Sequence, residues 1–593
     1  VRKLQIPYLN ETPTSRSMID AFGGYDHRVR ISENSFYEME NLTGDRYPAL
    51  SPRAKRGKRA LPAGVNKVQA MLSGPVLSYI ADNKLFIGDK AVMQLGSAGP
   101  KRMVGMGAYI VIFPDKMYYN TANAGDHGAM EAESTSSGNL TYRICNGEGE
   151  PFGSVFVANE PPEPPQNLQY WLDTSATPSV MKQYSETTGV WNSVLSTTVR
   201  IEGAGIGKGF AAGDGVWIDG IPAEAKPLNA FNKKSVILTA AGSDYIALEG
   251  IMDEASVQTT NTLTVSRKLP VLDHVFECGN RLWGCRYGEN ADGAFVNEIY
   301  ASALGDFKNW TQYRGISTDS YTVSVGAAGE WTGGIAYQGM PHFFKDDVLY
   351  RVYGAYPSAY RVEQTACRGV QAGAEKSLQI LNERLYYKAR NGVCVYDGAY
   401  PTEISEVFGE VRYGGSVTAG AADNKYYISM RSDDDGRYHL FKFDSVLGGW
   451  FREDNTEAAQ FAVEDGQLCY LTPDGDIVTV RGDAEEDVEW SAETGTIFLQ
   501  VRGSSGDAHY LRWITRLNMQ LRMELGSRVT VEIQYDSKEP WLHVATVKAI
   551  SLRSFSLPIR PRRCDHFRLR ISGKGDVTLY SITKTLEEGS ELP

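Results

Sequence analysis

NERLYYKARNGVCVYDG, residues 382–398, reads as a turn, an alternating aliphatic and aromatic run, a second polar turn bearing Gly392, and another such run. Period-two alternation broken by turn residues is the signature of a β-hairpin with one buried face. The phrase recurs as DNKLFIGD at 82–89, GAYIVIFPDKMYYN at 107–120, NRLWGCR at 280–286, DDVLYRVYG at 346–354, DNKYYISMRSDDDGRYHLFKFD at 423–444 and EDGQLCYLTPDGDIVTV at 464–480. Uninterrupted copies lie about forty residues apart, the period of a four-stranded propeller blade. The pattern therefore predicts an all-β protein built on a β-propeller of about six to seven blades.

The stretches between the copies set the expected domain map. Residues 1–63 carry few strand-like runs and end in YPALSPRAKRGKR (47–59), which reads as an extended N-terminal arm. Its cations, Arg53 to Arg59, have no strand pattern around them, so the arm is expected to order only against a partner, such as acidic surface on a neighbouring copy. The first part of the propeller is placed at 64–160, up to the prolines of NEPPEPPQN (159–167), which force extended backbone. Residues 161–268 hold YWLDTSATPSVMKQYSETTGVWNSV and then short alternating runs, and predict an inserted small β-barrel or sandwich. The propeller resumes over 269–483. Longer runs with Arg or Lys on one face (YLRWITRLNMQLRM, SRVTVEIQYD, HFRLRISG) predict a C-terminal β-sandwich over 484–593.

Composition removes several function classes. A formal net charge of −12 disfavours general affinity for nucleic acid or anionic lipid. The seven cysteines are scattered without a CxxC pair or a neighbouring His, which predicts buried free thiols and no zinc site. No apolar run approaches the roughly eighteen residues of a membrane span, and the first residues lack the apolar core of a signal peptide.

No motif assigns catalytic, cofactor-binding or metal-binding residues. GAGIGKG (203–209) places Lys208 or Phe210 where a dinucleotide fingerprint needs its third glycine, and Glu202 and Gly209 spoil a phosphate loop, leaving a Gly-rich turn. Ser432, Asp434 and Gly436 resemble the opening of the Asp box of sialidase-type propellers, but Tyr438 and His439 stand where that pattern wants Thr and Trp. Asp433, Asp434 and Asp435 are expected to serve a hairpin turn. The eight histidines fall in no metal or triad spacing.

Several stretches resemble virion proteins of short-tailed bacteriophages, the packaged-DNA stabilisation and tail-nozzle group. They are NSFYEMENLTGDRYPALSPRAKRG (34–57), NEIYASALGDFKNW (297–310), NGVCVYDGAYPTEIS (391–405) and RRCDHFRLRISGKGDVTLYSITKTLEEGS (562–590). YWLDTSATPSVMKQYSETTGVW (170–191) resembles a short module of phage tail and fibre proteins. The resemblance implies a non-enzymatic structural subunit of the tail or head–tail connector, without cofactor. It implies a hexameric ring of copies that contacts portal, adaptor or tail proteins and lets DNA pass, in a virion assembled in the bacterial cytoplasm. The alternative from another class is a host-surface glycan binder or glycosidase on the same propeller, since Tyr- and Trp-rich loops also suit sugar stacking.

Overall fold

The computed structural model describes residues 14–290, 293–499, 512–537, 540–548 and 553–587. Its regular structure is strand, with four short 3-10 turns among the described residues.

Seven four-stranded antiparallel sheets, among the described residues, follow one another around a ring and form a β-propeller. In chain order they occupy 68–94, 102–129, 274–324, 333–366, 379–403, 413–452 and 460–479, and are called blades one to seven. The innermost strand of blade seven, Gln460–Glu464, packs beside that of blade one, Val68–Leu72, so the ring closes on itself. Several hairpins turn through paired left-handed residues, among them Asn382 and Glu383 (φ 48° and 63°) and Asp423 and Asn424 (φ 52° and 63°). Such turns match the right-handed twist of the strands, and Asn and Asp tolerate this conformation better than most side chains.

The fourth strand of blade seven does not follow the other three in sequence. It is Gly57–Lys58, which pairs with Ile477–Thr479. The arm also gives a strand to each sheet of the C-terminal sandwich: Thr14–Ile19 pairs with Val577–Glu587, and Phe36–Glu40 with Glu489–Thr494. The expectation of an arm ordered only by a partner is therefore corrected over 14–63, while residues 1–13 lie outside the described residues. The physical reason is that these strands bond through backbone groups. They need little apolar patterning of their own once an open sheet edge is present.

The two sandwich sheets pack Leu517, Met519, Val531, Ile533, Leu569 and Ile582 between them. The same apolar cluster continues through Phe22, Tyr25 and Phe36 of the arm to Phe441 and Trp450 of blade six. Tyr25 N–H donates to Trp450 O at 2.6 Å, and Gly24 lies so close to that carbonyl that a Cβ would overlap it. Sandwich, arm and propeller thus share one core.

The insertion leaves the ring between blades two and three. Its main body is a closed six-stranded barrel whose first strand is Ala132–Asn146 and whose last is Ser256–Arg267. The expected boundary at 161 is corrected to about Ala132, so 132–160 belongs to the insertion and not to the propeller. The prolines of 159–167 lie inside it, joining the parallel strands Val155–Ala158 and Tyr170–Asp173. A parallel pair needs a long crossover, which this loop supplies. Ala132 pairs with Arg267, so the insertion's two ends are adjacent.

Candidate functional site

The basic run of the arm lies in an ionic seam where blade six, blade seven and the sandwich linker meet. Arg56 Nη2 donates to Glu453 Oε2 at 3.0 Å and Nη1 to Asp454 Oδ2 at 2.7 Å. Arg53 Nη1 donates to Glu485 Oε2 at 2.7 Å, and Arg56 N–H donates to the same oxygen at 2.9 Å. The Arg53 and Arg56 side chains are each 7% exposed and Glu453 is 2% exposed. Burial alone would push the Arg56 guanidinium down, but Asp454 and Glu453 outweigh it and hold it further above its ordinary value. Burial likewise favours a neutral Asp454, yet Arg56 keeps this carboxyl below its usual range. A second cation, Lys442, stands buried 3.9 Å from Glu453 and donates to Thr43 Oγ1 of the arm. These charges are neutralised inside one chain, so the acidic partners of Arg53 and Arg56 are Glu485, Glu453 and Asp454 and not the surface of a neighbouring copy that the sequence suggests.

The Asp-box-like stretch is the tip of a blade-six hairpin. Asp434 N–H donates to Ser432 Oγ, and Asp435 accepts from Arg437 N–H while its other oxygen lies 3.1 Å from His439 Nε2. Of the three aspartates, Asp435 is the one whose side chain bonds the turn. The Gly-rich 203–209 stretch is also a turn: Gly205 N–H donates to Asp244 Oδ1, and a Cβ on Gly207 would overlap Gly242 O. All seven cysteines are free and buried, and burial pushes the Cys278, Cys367, Cys394 and Cys469 thiols up to about 11. No group of His, Cys, Asp or Glu among the described residues is arranged to hold a metal ion.

No sequence motif marks a cleft of about 780 Å³ between blades four and five. Two hairpin tips, Asp346–Asp347 and Arg390–Asn391, face it from the two blades, with Glu330, Thr332 and Tyr400 on its walls. Lys345 forms part of the lining, but its ammonium is already engaged by Asn297 Oδ1 (3.0 Å), Ala327 O (2.7 Å) and Gly329 O (2.5 Å). Arg390 and Asn391 also border a second cleft, of about 600 Å³, reaching Glu403, Glu406 and Arg412. Lys388 lines this second cleft, and burial brings its ammonium down to about 8.

No family model matches the chain, and no curated protein matches it. Solved structures with a similar trace include an exo-beta-1,3-galactanase from Phanerochaete chrysosporium, at 9% identity and TM-score 0.20 over 52% of this chain and 95% of that one. BamB from Moraxella catarrhalis is similar at 10% identity and TM-score 0.21, over 42% of this chain and 80% of that one. A bifunctional GH43-CE protein from Bacteroides eggerthii is similar at 8% identity and TM-score 0.20, over 53% and 62%. Likeness at this level carries no statement about chemistry.

Proposed function

We propose that this chain is a structural subunit of a tailed-phage or prophage particle, part of the tail or head–tail connector that retains and later passes DNA. The observation that carries the reading is the stitched arm, which gives strands to blade seven and to both sandwich sheets and fixes itself with the Arg53 and Arg56 ion pairs. A subunit that transmits force between neighbours needs domains that do not swing, and a shared core with buried ion pairs supplies that rigidity. The sequence resemblance points to the same class, and the net acidic surface suits a path that duplex DNA must traverse without sticking.

In this reading the subunit closes a hexameric ring through head-to-tail contacts. Electron microscopy of the purified chain, alone and mixed with a portal and adaptor complex, tests this directly. Closed rings, with no retention of duplex DNA at physiological salt, are expected. A protein that stays monomeric in both samples and hydrolyses polysaccharide would overturn the reading in favour of a glycosidase.

A further inference from the structure

The cleft between blades four and five has features of a built binding site that the ring role does not use. Thr332 is 6% exposed, lines the cleft, and its Oγ1 has no hydrogen-bond partner among the described residues. That oxygen is closed to a water-sized probe, so a ligand meets it only if the Thr332 side chain turns toward the cleft, a turn that would recover the roughly 1–3 kcal/mol that a buried hydroxyl without a partner costs. Glu330, Asp347, Arg390 and Asn391 add exposed polar side chains to the lining. Arg368 and Asp346 are partly engaged, with Glu403 at 2.6 Å and Ala372 N–H at 3.2 Å.

The charges decide the ligand class. The lining carries Glu330, Asp346 and Asp347 against Lys345, Arg368 and Arg390, with Arg368 shared with Glu403, so neither sign of charge dominates it. What it presents is a mixture of exposed acceptors and donors on fixed hairpin tips. Vicinal hydroxyls, each donor and acceptor at once, satisfy such a mixture, whereas an apolar ligand would strand it unpaired. Tyr400 is 59% exposed beside it, an aromatic body with a polar tip against which the C–H face of a sugar ring can lie. The volume exceeds one monosaccharide and falls within the usual range for ligand sites.

We infer that this cleft binds a neutral oligosaccharide chain, with Tyr400 as stacking platform, Glu330, Asp347, Arg390 and Asn391 as hydroxyl partners, and Thr332 at the floor. The inference is independent of ring formation.

Calorimetric titration and saturation-transfer NMR on the full chain test it, with hexasaccharides of glucose, mannose, galactose and N-acetylglucosamine, and a galacturonic acid hexamer for comparison. At least one neutral chain is expected to bind, about tenfold more weakly to Tyr400→Ala. Tyr356→Ala, an exposed tyrosine on the outer edge of blade four, should leave binding unchanged. Thr332→Val is isosteric and should weaken the same ligand while melting no lower than the parent. Four results would each overturn the inference: no binding by any neutral chain, preference for the acidic hexamer with steep salt dependence, binding indifferent to Tyr400→Ala, or a Thr332→Val variant that is more stable yet binds undiminished.

Discussion

Arg56 Nη2 lies 3.0 Å from Glu453 Oε2 although 397 positions of chain separate the two residues, and both side chains are almost wholly removed from solvent. A pair so placed couples the arm to the junction of blades six and seven. Removing Arg56 leaves Glu453 with only Lys442 at 3.9 Å and Asp454 with only Arg53 at 3.6 Å, and undercompensating buried charge in this way costs up to about 3–5 kcal/mol. Arg56→Ala is therefore expected to lower the urea midpoint by a corresponding amount. Lys58→Ala, which breaks an exposed pair with Asp476, should cost less than about 1 kcal/mol. Equal losses in the two variants would show that the seam contributes no more than a surface pair.

Salt separates the two kinds of contact further. Exposed pairs are screened within about 10 Å at 0.1 M salt, whereas buried ones are screened much less. The stability gap between the parent and Arg56→Ala should persist from low to high salt. A gap that collapses on adding salt would place Arg56 in water.

Deleting residues 1–60 should not leave an intact propeller with a missing tail. It removes the fourth strand of blade seven and one strand from each sandwich sheet. The expected product is insoluble, or melts in separated steps by calorimetry where the full chain melts in one. A soluble truncated chain with a single transition at the parent temperature would refute the structural role of the arm.

The insertion should behave in the opposite way. Ala132 and Arg267 are register partners, and Arg267 Nε donates to Met130 O at 2.9 Å, so a short Gly-Ser link can replace 132–267 without stretching the ring. The shortened chain should melt cooperatively at a modestly lower temperature, because Asn309 loses its bonds to Gly213 and Gly215. A molten product would mean that the barrel supports the blades.

His342 gives a pH signature. Its ring is 1% exposed, and burial brings its pKa down to about 4, aided by Arg351, while Nδ1 lies 3.0 Å from Met340 O. The unfolded chain, with a value near 6.5, therefore binds more protons between these two values, and stability falls as pH drops through that window. The contribution approaches about 3 kcal/mol at pH 4. His342→Asn keeps a donor for Met340 O and should flatten the parent's decline between pH 6.5 and 4. Parallel curves for the two proteins would show that His342 is accessible to protons in the fold.

The blades were legible because their signal is local. Turns such as Asp423–Asn424 and the alternating runs beside them lie within a few residues of each other and repeat. The role of the arm was not legible: Gly57–Lys58 is a two-residue polar strand recognised only by the edge it completes, and Arg56 looks solvated until Glu453 is brought beside it. The barrel strand Ala132–Asn146 was missed for a similar reason. Its pairing with Ser256–Arg267 uses hydroxyl contacts such as Thr135 with Thr264, and few aliphatic residues alternate along it. The cleft did leave a trace, since Asp346–Asp347 and Arg390–Asn391 occupy the same hairpin position in successive copies of the repeated phrase, but only the ring makes them neighbours.

The woven arm also sets an order of events at the ribosome. Lys58 emerges 418 residues ahead of Asp476, and Glu33 emerges 551 residues ahead of Lys584, the residues with which they form ion pairs. Domains are generally completed as soon as their residues are made. Here the ring cannot be completed until Ile477–Thr479 has been translated, nor the sandwich until Val577–Glu587 has, and a product interrupted before then is left with unpaired sheet edges. Completion of the fold thus acts as a length check that only chains read through to the last sandwich strand, Val577–Glu587, can pass.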